Sequence, residues 1–230
     1  MPHLFHHPLC PHSRFVRLAL AEYGLDVDLI EERVHDRREE FLLIDPAGRT
    51  PVLVAEGGLV APGAGVIAEW LDEAYGPSTP GARLLPDDLA GRVETRRLMD
   101  WFNQKMFAEV TDWLVTEKVY RRFMTSAQGG GGPDMAAVRA ARTNIRHHLS
   151  YIGYLVSERN WLAGSRMTFA DLAAAAHIST ADYLGDVPWN ENELAKAWYQ
   201  KIKSRPSFRA LLADRVLGMA PGAAYADLDF

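Results

Sequence analysis

Cysteine is almost missing from these 230 residues. Cys10 stands alone, so no disulfide framework within the chain is available, and the composition suits a reducing compartment. No apolar run approaches the ~20 residues needed to span a bilayer. The start, Met1-Pro2-His3-Leu4-Phe5-His6-His7, lacks the basic segment and apolar stretch of a secretory signal. There is no excess of basic charge either. Twenty-five Lys and Arg against 30 Asp and Glu give a net −5, the wrong sign for coating a phosphate backbone. Secreted, membrane-inserted and nucleic-acid-coating proteins are set aside on these grounds, and a cytoplasmic protein is expected.

What is present is an ordinary globular composition, 48% hydrophobic and 24% charged, divided unevenly. Residues 1–80 hold 6 Lys and Arg against 13 Asp and Glu; the remainder holds 19 against 17. The first part alternates strand and helix. Leu4–His6 is an apolar-aromatic strand, and Phe15, Val16, Leu18 and Ala19 have helical spacing up to Gly24. Val27–Ile30 alternates, 37–44 reads as a helix, and Pro51–Val54 and Leu59-Val60 flank a Gly57-Gly58 turn. A helix then carries Val66, Ile67, Trp70 and Leu71. This β-α-β-α-β-β-α order predicts a thioredoxin-like domain over 1–76, followed by a Pro/Gly-rich linker at 77–87.

Residues 88–217 predict an all-helical domain, so the fold class is α/β plus all-α. Leu98, Phe102, Met106, Val110 and Leu114 keep one face of a long helix, with Trp101, Phe102 and Trp113 read as core. Four consecutive glycines, Gly129–Gly132, interrupt the chain as a flexible loop, matching neither a P-loop nor a dinucleotide fingerprint. Val138, Ile145, Leu149 and Ile152 mark a second helix. Thr168 and Asp171 form a capping-box pattern opening a third. Residues 218–230 are an extended tail that either folds back or docks on a partner. His3, His6, His7 and His12 lie close in sequence, but His6 and His7 alternate across a strand and nothing completes a zinc set, so no metal is expected and these are read as surface or strand-edge residues.

Several marks, in order, resemble the cytosolic glutathione transferases over residues 1–217. They are Cys10-Pro11-His12-Ser13-Arg14, Asp45-Pro46-Ala47-Gly48, Thr50-Pro51-Val52-Leu53, Ile67-Ala68-Glu69-Trp70-Leu71, Trp161-Leu162-Ala163-Gly164, Thr168-Phe169-Ala170-Asp171 and Arg205-Pro206-Ser207-Phe208. The resemblance implies a cis Pro51 that leaves the Thr50 backbone facing a peptide-like ligand. It also implies a thiol or hydroxyl at the start of the first helix, here Cys10 or Ser13. Cys10 precedes a helix amino end, whose partial positive charge favours thiolate.

One departure stands out. The family holds the γ-glutamyl end of glutathione with an acidic residue and a serine, four and three positions before the helical isoleucine. Here those positions are Gly63 and Ala64. Hydrogen bonds to charged groups are worth about 1.5–3 kcal/mol each, so losing two costs roughly two decades or more of affinity. No cofactor is required on this reading, and glutathione binding is expected to be weak.

Within the superfamily the chain resembles the bacterial branch that binds the tubulin-like division protein FtsZ and alters its filaments. That resemblance implies a homodimeric, non-catalytic adaptor at the division site. The segment Glu117–Arg122 and the tail supply the expected partner residues: Glu117, Arg121, Arg122, Tyr225, Asp227 and Phe230. The alternative is a working glutathione transferase or thiol reductase using Cys10 or Ser13. A third reading is a scaffold or stress protein for an unrelated partner.

Overall fold

A computed structural model describes residues 1–79, 81 and 83–228. Strand β1 (His3–His6) is central, with β2 (Asp28–Glu31) parallel on one side and β3 (Val52–Val54) antiparallel on the other; β4 (Val60–Pro62) completes the order β2-β1-β3-β4. Leu4 pairs with Leu29 and Leu53, and Leu53 with Ala61. Helices α1 (Pro11–Glu22) and α3 (Ala64–Tyr75) join this sheet to the main core through Leu18, Ile67 and Leu71. Helix α2 (Glu39–Ile44) adds Phe41 to a smaller cluster with Phe5 and Val52. The helix expected from residue 37 starts later because Arg37 has φ of 45°, outside the right-handed helical region.

Because β1 is covered on both faces, two of the four histidines expected at the surface, His6 and His7, are interior; His3 is exposed as expected, and His12 is half-buried. Burial, reinforced by Arg17 and Arg14, lowers His6 to about 4. Burial, with the neighbouring His6, lowers His7 to about 3. Both are neutral at physiological pH, and His7 Nδ1 accepts the Leu9 N–H at 3.2 Å.

The second domain is helical among the described residues: α4 (Leu89–Asp100), a π-helical stretch (Trp101–Thr111), α5 (Asp112–Lys118), α6 (Met135–Glu158), α7 (Phe169–Tyr183), α8 (Glu193–Lys203) and α9 (Arg209–Leu212), with short 3₁₀ turns between. The helix read across residues 98–114 is thus one rod with a π segment, and Phe102, Met106 and Val110 stay buried through it; Trp113, read as core, is exposed. Every residue of α7 is buried, which its alanines permit by letting α1 pack close. The Thr168–Asp171 capping box forms: Ala170 N–H donates to Thr168 Oγ1 at 3.2 Å and Thr168 N–H to Asp171 Oδ2 at 2.9 Å.

The tail folds back. Gly222 N–H donates to the Tyr183 carbonyl at 2.8 Å, and Lys203 Nζ to the Ala224 carbonyl at 2.7 Å. Arg14, wholly buried, donates to Pro8 O (2.7 Å), Ser179 Oγ (3.0 Å), Tyr225 Oη (3.0 Å) and Asp214 Oδ2 (3.2 Å). One side chain therefore ties the first domain, the second and the tail together.

Candidate functional site

The two domains enclose a cavity of about 530 Å³. Cys10, His12, Thr50, Pro51, Gly63 and Ala64 approach from the first domain; Phe107, Asp112, Val115 and Tyr120 approach from the second. Cys10 is the residue preceding α1, with no side-chain cap and Pro11 in the first turn, so its sulfur lies at the positive helix end. The Thr50–Pro51 peptide is cis, and Cys10 Sγ lies 3.6 Å from the Thr50 carbonyl, which accepts from the thiol.

Electrostatics at Cys10 oppose each other. Burial pushes the thiol up, while His12, by hydrogen bonding and charge, and then Ser13 pull it down; the outcome is about 7, from 9.0. Burial pushes His12 the other way, but Cys10 and the Asn103 carbonyl raise it above its usual value. His12 Nε2 lies 2.8 Å from that carbonyl, which can only accept, so Nε2 carries a proton and Nδ1 is left for Cys10 chemistry. Burial raises Asp112, whose one side-chain hydrogen bond, from Thr116, is long at 3.5 Å. Burial, then the charges of Cys10 and Asp112, raise the Tyr120 phenol well above its ordinary value. It remains a protonated donor, and among the described residues its hydroxyl has no hydrogen-bond partner.

Ser13 is wholly buried, accepts the His7 N–H at 3.3 Å and is not among the cavity-lining residues; of the two residues the alternative reading offered, Cys10 or Ser13, Cys10 is the one that lines the cavity. Gly63 precedes α3 with φ of 87°, a conformation glycine adopts freely, and its N–H donates to the Pro51 carbonyl at 2.9 Å. Gly63 and Ala64 line the cavity without a side-chain group for an ammonium or carboxylate, and α3 has no acidic residue in its first turn. The γ-glutamyl end of glutathione is not matched by these residues.

The expected partner residues separate into groups. Arg122 is exposed, and its Nη1 donates to the Gly218 carbonyl of the tail at 3.1 Å. Asp227 is exposed too, close enough to influence Lys203. Glu117 is largely covered, accepting from Arg121 Nη1 at 2.9 Å and from the Asp134 N–H at 2.7 Å, which ties α5 to the start of α6. Arg121 is half-buried beside it. Tyr225, expected on a partner surface, is instead wholly buried against Tyr183 and Arg14, and its hydroxyl donates to Leu211 O at 2.6 Å. Phe230 lies outside the described residues. His12, Asp112 and Tyr120 were not read as cavity residues in the sequence; they come from a helix start, a π–α junction and a 3₁₀ turn, and no spacing rule links the three.

Residues 4–79 match the model of the glutathione S-transferase N-terminal domain, and residues 122–206 that of the C-terminal domain. The chain belongs to the glutathione S-transferase superfamily. It is 46% identical over 230 residues to FtsZ-localized protein A of Caulobacter vibrioides, covering 99% of this chain and 97% of that one. The structure of FzlA from C. crescentus superposes with a TM-score of 0.92 at 45% identity, covering 100% of this chain and 99% of that one. A glutathione S-transferase from Sinorhizobium meliloti 1021 superposes with a TM-score of 0.97 at 51% identity over the whole of both chains.

Proposed function

We propose that this chain is a non-catalytic, glutathione-transferase-like protein that binds FtsZ in the cytoplasm, at the division site, and changes filament curvature as a homodimer. The observation that carries this reading is full-length similarity, 46% over 99% of the chain, to a protein named for its localisation with FtsZ. The absence of side-chain γ-glutamyl contacts at Gly63 and Ala64 supports a role without turnover. Exposed apolar residues Leu59, Val60 and Val66 support a second copy as the dimer partner. Two copies would engage neighbouring filament subunits and set their angle by geometry alone.

The test is co-sedimentation with FtsZ and electron microscopy of the filaments. The native chain is expected to pellet with FtsZ and curve it. Arg122→Glu and Asp227→Lys reverse exposed charges beside the tail and are expected to weaken binding about tenfold or more, with the thermal transition nearly unchanged. Normal binding by both variants overturns this surface; native protein that neither pellets nor curves FtsZ overturns the function.

A glutathione-dependent transferase or thiol reductase acting through Cys10 is the second reading, favoured by the lowered Cys10 thiol. Saturable heat on titrating glutathione to millimolar concentration into the untagged protein supports it. A flat titration, repeated at a second temperature, removes it.

A further inference from the structure

The four glycines expected as a flexible loop are bonded into a turn. Gly129 N–H donates to Ser126 O at 3.1 Å, Gly130 N–H to Thr125 O at 2.9 Å and Gly131 N–H to Arg121 O at 3.1 Å. A Cβ at Gly130 would stand 1.9 Å from the Met124 carbonyl oxygen, so glycine is required there, whereas one at Gly132 would meet nothing within 4 Å. The turn aims Gln128 at the first domain. Gln128 Oε1 accepts from the Thr125 N–H at 2.9 Å and from its hydroxyl at 3.0 Å, which fixes the amide so that Nε2 donates to the His35 carbonyl at 3.0 Å. Beside that bond, the Arg33 guanidinium lies 5.3 Å from the Phe123 ring. The Tyr120 ring lies 5.1 Å from that of His7 and 6.0 Å from that of His35. Val34 and Tyr120, from the two sides of this contact, both line the cavity.

The first-domain half of the contact is held at a cost. The His35 side chain is 6% exposed, yet among the described residues neither ring nitrogen has a hydrogen-bond partner; the Asp36 carboxylate stands 3.5 Å from Nε2. A covered polar group without a partner is uncommon, and exposure to water satisfies it. Arg37 follows with φ of 45° and ψ of 49°, a left-handed conformation that disfavours a residue with a side chain. Against these costs stand one neutral hydrogen bond and a few ring contacts. Opening hydrates both His35 nitrogens and frees Arg37 while breaking little. The second-domain half is braced to the start of α6, where Glu117 accepts the Asp134 N–H at 2.7 Å, so the short turn Val34–Asp36 is the part that moves.

We propose that residues 33–37 and 120–131 form a releasable clip between the two domains, whose opening widens the cavity on the Val34–Tyr120 side and admits ligands larger than the closed space takes. The clip is closed by Gln128 and loaded by His35 and Arg37. Its setting decides which sizes of ligand reach the cavity, whatever chemistry follows inside.

The experiment uses the full-length protein with two readouts. One is amide hydrogen exchange over residues 33–38, where the Asp36 N–H donates to Arg33 O at 2.9 Å. The other is alkylation of Cys10, the chain's one thiol, which lines the cavity and serves as a reporter only. Gln128→Glu keeps the acceptor for Thr125 but sets a carboxylate oxygen against the His35 carbonyl. It is expected to speed exchange over 33–38 about fivefold, the scale of one lost hydrogen bond, with β1 and α7 unchanged. Labelling by the bulky, uncharged N-(1-pyrenyl)maleimide is expected to rise by about the same factor, and labelling by the small iodoacetamide by less than about twofold. Gly130→Ala, which disturbs the turn without touching the first domain, is expected to act in the same way, and Gly132→Ala to match the native chain. Exchange over 33–38 that neither Gln128→Glu nor Gly130→Ala moves overturns the clip, and so does exchange that rises equally in β1 and α7. Faster exchange with an unchanged pyrenylmaleimide rate, or an equal rise for both reagents, overturns the widening of the cavity.

Discussion

Helix α1 serves two polar regions that are built on opposite terms. At its start, Cys10 and His12 face a cavity where, among the described residues, the Tyr120 hydroxyl has no hydrogen-bond partner and Asp112 holds one long side-chain hydrogen bond. One turn later, Arg14 is wholly buried and bonded to Pro8, Ser179, Tyr225 and Asp214. Tyr225 in turn reaches Leu211 O, and Lys203 reaches Ala224 O. A buried polar network with its members satisfied fixes geometry, whereas hydrogen-bonding capacity left open beside a cavity is available to a ligand. Polarity in the tail seat is therefore structural, and polarity in the cavity is chemical.

The comparison breaks most visibly at Arg14. Arg14→Met removes four hydrogen bonds from a buried guanidinium, while Asp214 keeps Arg17 at 2.8 and 2.9 Å and the Tyr225 hydroxyl keeps Leu211 O; it is expected to cost about 1–3 kcal/mol. Urea unfolding reads this as a lowered midpoint; an unchanged midpoint would mean that the network does not hold the domains together. Gly222→Ala tests the tail alone. Its Cβ would stand 2.7 Å from the Asp182 carbonyl oxygen and 3.0 Å from Gly185 Cα, both backbone, so a cost of about 1–3 kcal/mol is expected. Limited proteolysis should then cut within residues 219–228 sooner than in the native chain; equal protection would show that the seat tolerates the methyl.

The cavity side is sharpened by a gain rather than a loss. The double substitution Gly63→Glu and Ala64→Ser supplies the two missing side chains. Gly63 has φ of 87° and ψ of 147°, a region kept almost wholly to glycine, so glutamate there costs about 1–3 kcal/mol, against about 3 kcal/mol or more from two bonds to charged groups. Calorimetry should find glutathione binding about tenfold tighter than in the native chain. No gain would place the barrier elsewhere in the cavity.

How much of this was legible in the sequence varied with the range of the interaction. The Thr168–Asp171 cap is local, three residues apart, and forms as its pattern implies. Cys10 before Pro11 likewise marks a helix start. Gly63 and Ala64 could be placed by counting back from Ile67, and they do line the cavity. Long-range facts were hidden. His6 and His7 alternate as a half-exposed strand would, yet both faces are covered. Tyr225 has the composition of a loose tail residue, yet Arg14, 211 positions earlier, Tyr183 and the Leu211 carbonyl give it buried partners. Tyr120 sits in a charged-aromatic run that reads as surface, while its ring meets His7 at 5.1 Å and the residue lines the cavity.

The seated tail also determines how the molecule carries load. Tension applied near residue 228 passes first through Tyr225 and Ala224, and from there divides between α1, through Arg14, and α8, through Lys203. Because α1 belongs to the first domain and α8 to the second, a pull at the carboxyl end is shared by both from the outset. The last helix does not peel away first, and mechanical strain at one terminus is felt across the whole chain.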